Sequence, residues 1–507
     1  MSLYLKGFER IDIMSEKDSV ALPTSEKKLA DKDAKNKWVC PEFKVSGAFS
    51  SRMVLQRFEP VVVWGFSTNI GGVVKGEFMG EGVMTKVCED GTWTLRFLPH
   101  PCVYDGQVMR IYDECGHEVI FEDILVGDVW FIGGQSNAEL NLSRCMYLTP
   151  SVDFYGGDNF RLFRQTQAYV YENQEYCNFP QVDVINPEWC WKRPDEQASL
   201  EFSAIGYYFG REMIKKTDVP IGLVMMCAGG ACIRELLPED VAHSIGYNYG
   251  ANVRESGYYN ALINPFLKLP FKGMIFFQGE SEGGDRTLAE RYDLELSLLV
   301  ADERKRFGRE FPFYNIQLCD YRQEGAAAFP YLDTIRVKQF DAQRLIHNST
   351  LTVSMDLGAP ADYEDWPHSP RKLEIGERLA SLILAREYGV GRESDVSSPK
   401  AIRAVLSDDK KSILVEFENV ESGLTGAGHD PISSLDMQVE GFSVGDYEHK
   451  VPAKAKITGR CGVTVTVPDS TCPTHVNYAY FPIVTPDNAT LRGGNNLPAM
   501  AFSIEVK

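Results

Sequence analysis

Residues Asp128-Val-Trp-Phe-Ile-Gly-Gly-Gln-Ser-Asn-Ala138 read as a buried strand that ends in two glycines and breaks at Gln135, Ser136 and Asn137 into a helix start. The break narrows the possible folds. A serine at a strand-to-helix turn lies at the carboxyl edge of a sheet, beside the free N–H groups of a helix N-terminus, where an attacking oxygen and a developing oxyanion can both be served. The same place suits a plain helix cap, because serine is among the preferred N-cap residues. Gly134 to Asn137 alone do not choose between the two readings.

The surrounding pattern predicts a mostly parallel sheet covered by helices on both faces. Strand candidates run Val129 to Ile132, Ile221 to Cys227, Gly273 to Gln278, Phe313 to Leu318 and Thr350 to Met355. Between them fall helical periods over Ala204 to Lys216, Leu288 to Arg306, Thr334 to Ile346 and Pro370 to Glu387. Such alternation is the signature of α/β architecture, and ligands of these sheets sit at the carboxyl ends of strands. Short β-type runs flank this region: Arg52-Met-Val-Leu-Gln, Pro60-Val-Val-Val-Trp-Gly and Thr92-Trp-Thr-Leu-Arg-Phe before it, Ser412-Ile-Leu-Val-Glu-Phe and Val463-Thr-Val-Thr-Val after it. Four segments are expected: a partly disordered leader at 1–42, a β-sandwich module at 43–122, the α/β domain at 123–395 and a second all-β module at 396–507. The stretch Asn141 to Leu200, with Trp189 and Trp191, is expected to be a long loop that shapes a substrate pocket or covers a satellite core.

Charge and cysteine usage exclude several functions. With 71 acidic and 52 basic residues the net charge is −19, a field that repels nucleic-acid backbones and anionic membranes. No run of about 18 apolar residues exists, so no transmembrane helix is expected. The twelve cysteines form no CxxC, HExxH is absent and the eight histidines do not cluster, so no metal site is expected. Oligomeric state and disulfide pairing are not legible at this level.

Three further segments carry unusual residues at the edge where Ser136 belongs. Ala228-Gly-Gly-Ala231 follows one strand, Gln278-Gly-Glu-Ser281 follows another, and Asp365-Trp-Pro-His368 follows the last. Singly each has a bland reading as a tight turn or solvated loop. Together they supply a nucleophile, a base, an acid to orient it and oxyanion donors. Asp365 and His368 are close enough for one loop to present a carboxylate to one imidazole nitrogen while the other faces the serine. Ser369-Pro370 then reads as an N-cap and first helical residue, with Leu373, Gly376, Leu379 and Leu382 on the buried face of the helix.

Gly134-Gln-Ser-Asn137, Gly229-Gly230, Gln278-Gly-Glu280 and Asp365-x-x-His368 resemble the successive blocks of the SGNH hydrolase superfamily in its sialate O-acetylesterase branch. Met53-Val-Leu-Gln, Gly127-Asp-Val-Trp, Phe202-Ser-Ala-Ile-Gly-Tyr-Tyr-Phe and Tyr259-Asn-Ala-Leu-Ile-Asn-Pro are similar to that branch as well. The resemblance implies a three-layer α/β/α hydrolase core with flanking all-β modules, and a secreted or periplasmic serine esterase that removes O-acetyl groups from carbohydrates, sialic acids in particular, without a cofactor. By position it implies Ser136 as nucleophile, His368 as base and then acid, and Asp365 as its orienting partner. Ser136, Gly230 and Gln278 are the expected oxyanion donors, and Gln135, Asn137, Glu280 and Arg234 the expected substrate contacts. Two departures stand out: Ala138-Glu-Leu140 replaces the usual Met-Glu-Trp, and Asp362 as well as Asp365 precedes the histidine. An acetyl xylan esterase and a carbohydrate-binding protein without turnover are the competing readings.

Overall fold

The computed structural model describes residues 39–145, 157–165, 179–184, 190–247, 256–321, 327–359, 363 and 367–507, apart from 430, 432, 447 and 470. The expected leader therefore lies almost wholly outside the described residues. The N-terminal strands are β1 (Phe43–Val45), β2 (Val54–Gln56), β3 (Val61–Ser67), β4 (Val73–Phe78), β5 (Glu81–Lys86), β6 (Thr92–Phe97) and β7 (Val103–Asp113). They lead into β8 (Glu118–Gly134), followed by α1 (Ser136–Glu139), α2 (Leu142–Cys145), β9 (Phe160–Arg164), α3 (Glu196–Leu200), α4 (Ala204–Lys216) and β10 (Ile221–Cys227). After these come α5 (Ile233–Leu236), α6 (Glu239–Ser244), β11 (Gly273–Phe277), α7 (Arg286–Phe307), β12 (Phe313–Gln317), α8 (Leu332–Leu345), β13 (Ser349–Val353) and α9 (Lys372–Tyr388).

Strand β8 joins two structures. Its first half pairs antiparallel with β7, while its second half runs parallel between β10 and β11, so one ten-stranded mixed sheet contains both. The expected boundary at Glu122 falls inside this strand. The parallel part has the spatial order β9-β10-β8-β11-β12-β13. Every residue of β10 and of Asp128–Gly134 is buried, as continuous apolar runs of parallel strands require. Because side chains alternate along a strand, the neighbours Trp130 and Phe131 report the two faces. Trp130 meets Phe209 of α4 and donates its indole N–H to Tyr388 of α9 at 3.3 Å. Phe131 instead stacks on Phe271 at 4.1 Å and meets Phe307 of α7. Helices thus cover both faces. Asp128, 1% exposed, closes the junction by accepting from Gln56, from both Nε and Nη2 of Arg57, and from the Tyr388 hydroxyl.

Asn141 to Leu200 departs from the loop expectation. Where it is described it holds α2, the edge strand β9 and α3, and β9 pairs with β10 along its whole length. Trp191 is a core residue there, donating its indole N–H to the Ala48 carbonyl at 3.0 Å; Trp189 lies outside the described residues. Helix α9 starts at Lys372, two residues later than expected, because Ser369 turns its hydroxyl to the Leu357 carbonyl and accepts from the Arg371 N–H. Gly376 lets α9 approach α4: a Cβ there would stand 2.7 Å from Tyr208 Cβ and 3.0 Å from the Phe209 nitrogen.

Beyond α9 the chain forms antiparallel sheets of five, four and two strands. Their core is built on Phe417, Phe442, Tyr478 and Phe502, and it continues into Phe340 of α8 and Leu351 and Val353 of β13. Gln317 at the end of β12 exchanges hydrogen bonds with the Ala501 backbone, which seats this module on the edge of the main sheet. Among the described residues no helix is long and apolar enough to cross a membrane, no two cysteines are joined, and no group of His, Cys, Asp and Glu could hold a metal ion.

One buried group makes stability depend on pH. Glu303 on α7 is 2% exposed, its Oε2 has no hydrogen-bond partner among the described residues, and burial raises its carboxyl to about 8. The folded chain therefore keeps this proton where the unfolded chain has released it. The associated stability is fully present below about pH 4.5 and is lost as pH rises through about 8. Glu303→Met is expected to melt close to wild type at pH 5 and about 5 °C above it at pH 9. Scanning fluorimetry at both values checks this; parallel curves at the two pH values would refute it.

Candidate active site

The register brings the expected segments to one edge. Gly134 stands level with Cys227 on one side and Phe277 on the other, so Gln135–Asn137, Ala228–Ala231 and Gln278–Glu280 leave the sheet side by side. Gly134 has φ +127°, and a Cβ on it would lie 2.1 Å from the Phe277 carbonyl oxygen. Only glycine permits that approach, after which the Gln135 N–H bonds the same oxygen at 3.1 Å. Ser136 is the first residue of α1, so its N–H has no acceptor within the helix. The serine is half-buried, whereas Gln135 and Asn137 on either side are 3% and 1% exposed. Ser203, the N-cap of α4, steadies the turn by donating to the Ala138 carbonyl at 2.6 Å.

Gln135, Asn137 and Glu280, expected at the substrate, are spent inside the protein. Gln135 Oε1 accepts from the Gly279 N–H at 3.2 Å, the Ser281 N–H at 3.4 Å and the Gln278 amide at 3.3 Å. Loop N–H groups this deep need such acceptors. Asn137 Nδ2 donates to Glu280 Oε1 at 2.7 Å, to the Tyr321 hydroxyl at 3.0 Å and to the Pro367 carbonyl at 3.3 Å. Its Oδ1 accepts from Lys372 Nζ at 2.6 Å. Glu280 is 1% exposed and also accepts from the Tyr321 hydroxyl.

Gln278 likewise departs from the oxyanion expectation. It is 0% exposed, and its Nε2 donates to the Ala231 carbonyl at 3.0 Å, to Gln135 and to Glu282. Glu282 accepts the Ile233 N–H as well, and burial raises its carboxyl to about 7. Gln278 and Glu282 thus tie the segment after β11 to the glycine loop after β10. In that loop the Gly229 N–H donates to Glu139 Oε2 at 3.1 Å. Gly230 is exposed at φ +73°, and among the described residues nothing stands where its Cβ would be. Burial pushes the Glu139 carboxyl up, against the pull of Arg164, the Gly229 N–H and Arg144.

His368 is half-buried, with its Nδ1 3.4 Å from Nη2 of the exposed Arg144. The Tyr363 hydroxyl donates to the Arg144 carbonyl at 3.0 Å, which binds the histidine loop to α2. Asp362, Glu364 and Asp365 lie outside the described residues. Arg234 is half-buried on α5, within electrostatic reach of Cys232, Tyr247 and Glu295.

Comparison with known proteins agrees with this architecture. The family model of the carbohydrate esterases described as sialic acid-specific acetylesterase matches residues 168–385. The sialate O-acetylesterase of Pongo abelii is 25% identical over 385 residues, covering 68% of this chain and 71% of its own; that of Homo sapiens is 24% identical over 383 residues with the same coverage. A solved structure of a carbohydrate acetylesterase from Xanthomonas citri superposes with a TM-score of 0.77 at 27% identity, over 91% of this chain and 99% of that one. The chain is similar to the sialate O-acetylesterases. It is a carboxylic ester hydrolase.

Sequence reasoning missed three residues of the candidate site: Arg144, Tyr321 and Lys372. For Lys372 a signal existed, because it falls on the helical stripe of Gly376 and Leu379, where an apolar residue is expected. Tyr321 and Arg144 carry no local pattern that marks them.

Proposed function

We propose that the protein is a serine esterase of the SGNH type that removes O-acetyl groups from acetylated sugars, sialic acids first among them, through an acetyl-enzyme. One observation supports this above the others: Asn137, next to Ser136, donates to the carbonyl of Pro367, next to His368, across the site at 3.3 Å. Serine and histidine loops are thereby tied together at the carboxyl edge of a parallel sheet.

In this reading Ser136 attacks the acetyl carbonyl while His368 takes its proton, and Asp365 from the same loop holds the imidazole. The N–H groups of Ser136 and Gly230 receive the oxyanion. Gln278, its amide directed inward, serves as a tether for the glycine loop. The sugar alkoxide leaves with the imidazole proton, and water releases acetate by the reverse sequence. A sialic acid presents a carboxylate, and Arg144 beside His368 is the cation best placed to receive it. Neutral xylan has no use for that charge. Export rests on the family resemblance.

The test is acetate release from O-acetylated sialic acids, acetylated xylo-oligosaccharides and 4-nitrophenyl acetate. The expected order places sialic acids first in kcat/KM. Preference for xylan would transfer the substrate assignment, and sugar binding with no turnover of any ester would refute the esterase reading.

A further inference from the structure

The buried cation beneath the serine turn has no part in the chemistry just described. Lys372 is 0% exposed and opens helix α9, an end where the helix dipole disfavours positive charge. Burial lowers its ammonium further. A charge held against both penalties needs a specific counterpart. Its Nζ lies 2.6 Å from Asn137 Oδ1 and 5.1 Å from the centre of the Phe277 ring, over the last residue of β11. On the far side of Asn137, Glu280 accepts from Nδ2 at 2.7 Å. The asparagine amide is thus clamped between a cation at its oxygen and an anion at its nitrogen, which sets its orientation without ambiguity. The orientation also points Nδ2 at the Pro367 carbonyl.

We propose that Lys372 is a positioning residue for catalysis: with Glu280 it polarises and locks Asn137, and so holds Ser136 in register with His368. The inference rests on the serine-esterase reading above. Loss of the ammonium leaves Asn137 free to rotate, and the serine and histidine loops then drift by a fraction of an ångström to an ångström. Such a displacement lowers kcat by roughly 10²-fold, with substrate affinity little altered.

The experiment measures Lys372→Met and the charge-balanced double variant Lys372→Met/Glu280→Gln beside wild type, each checked for fold by near-ultraviolet circular dichroism. Readouts are kcat and KM on 4-nitrophenyl acetate across pH, and the rate of covalent labelling by a serine-directed fluorophosphonate. Expected are a kcat loss of roughly 10²-fold, KM within about threefold of wild type, and labelling slowed in parallel. A folded variant with unchanged kcat and labelling overturns the proposal. So does a loss confined to KM. Should the single variant not fold, the double variant decides by the same criteria; failure of both to fold would make Lys372 a core element and overturn it too. An inactive wild type, or Ser136→Ala with full activity, counts against the esterase reading instead.

Discussion

Ser136→Ala is expected to abolish acetyl-ester hydrolysis and to leave the melting temperature unchanged. Removal of the attacking oxygen from an otherwise intact site costs on the order of 10⁶-fold in kcat in serine hydrolases, the remainder coming from binding and oxyanion donors. The fold has little at stake, because alanine is a good helix former at the first position of α1 and the segment is held by Gln135, Asn137 and Ser203 rather than by the serine hydroxyl. Steady-state hydrolysis of 4-nitrophenyl acetate and of an O-acetylated sialic acid measures the loss. Turnover within tenfold of wild type in a folded variant removes Ser136 from the mechanism.

Asp365→Asn is expected to lower kcat by up to about 10⁴-fold, and Asp362→Asn by only a few-fold. The structure adds a reason to need an acid in this loop. Arg144 stands 3.4 Å from His368 Nδ1, and a guanidinium there opposes formation of the imidazolium on which proton transfer depends. A carboxylate from the same loop would offset that cation and favour the imidazolium. Without it, the acid limb of the kcat/KM profile moves to lower pH while the plateau falls. The separation from His368 favours Asp365. A larger loss and limb shift in Asp362→Asn would transfer the role, and two mild effects would give it to Glu364 or a backbone carbonyl.

Much of the framework was legible from local pattern. The runs Ala204–Lys216 and Ile221–Cys227 occur in the structure with the bounds that their periodicity predicts. Gly273–Phe277 and Ser349–Val353 moved by one or two residues at their ends, whereas the strand read at Val129 to Ile132 begins already at Glu118. Hydrophobic period is a property of neighbours along the chain, so it survives without any knowledge of the fold. Strand β9 escaped notice because Arg161 and Arg164 interrupt the apolar run of Phe160-Arg-Leu-Phe-Arg164, which becomes a strand only by pairing with β10.

At the site the division is sharper. Sequence by itself determined that a serine, a glycine pair and a Gln-Gly-Glu would stand at strand ends, with a histidine in the loop before the last helix, since Gly134 and the apolar runs before those segments dictate where the sheet stops. Which way their side chains face was decided only by tertiary structure. Gln135, Asn137, Gln278 and Glu280 have the composition of a solvated, ligand-facing edge, and nothing adjacent in the chain contradicts it. They turn inward because distant partners are buried beside them: Lys372, 235 positions beyond Asn137, and Tyr321, 184 beyond. A polar side chain at a loop faces water or the interior according to whether buried donors and acceptors wait for it, and that inventory exists only once the chain has folded.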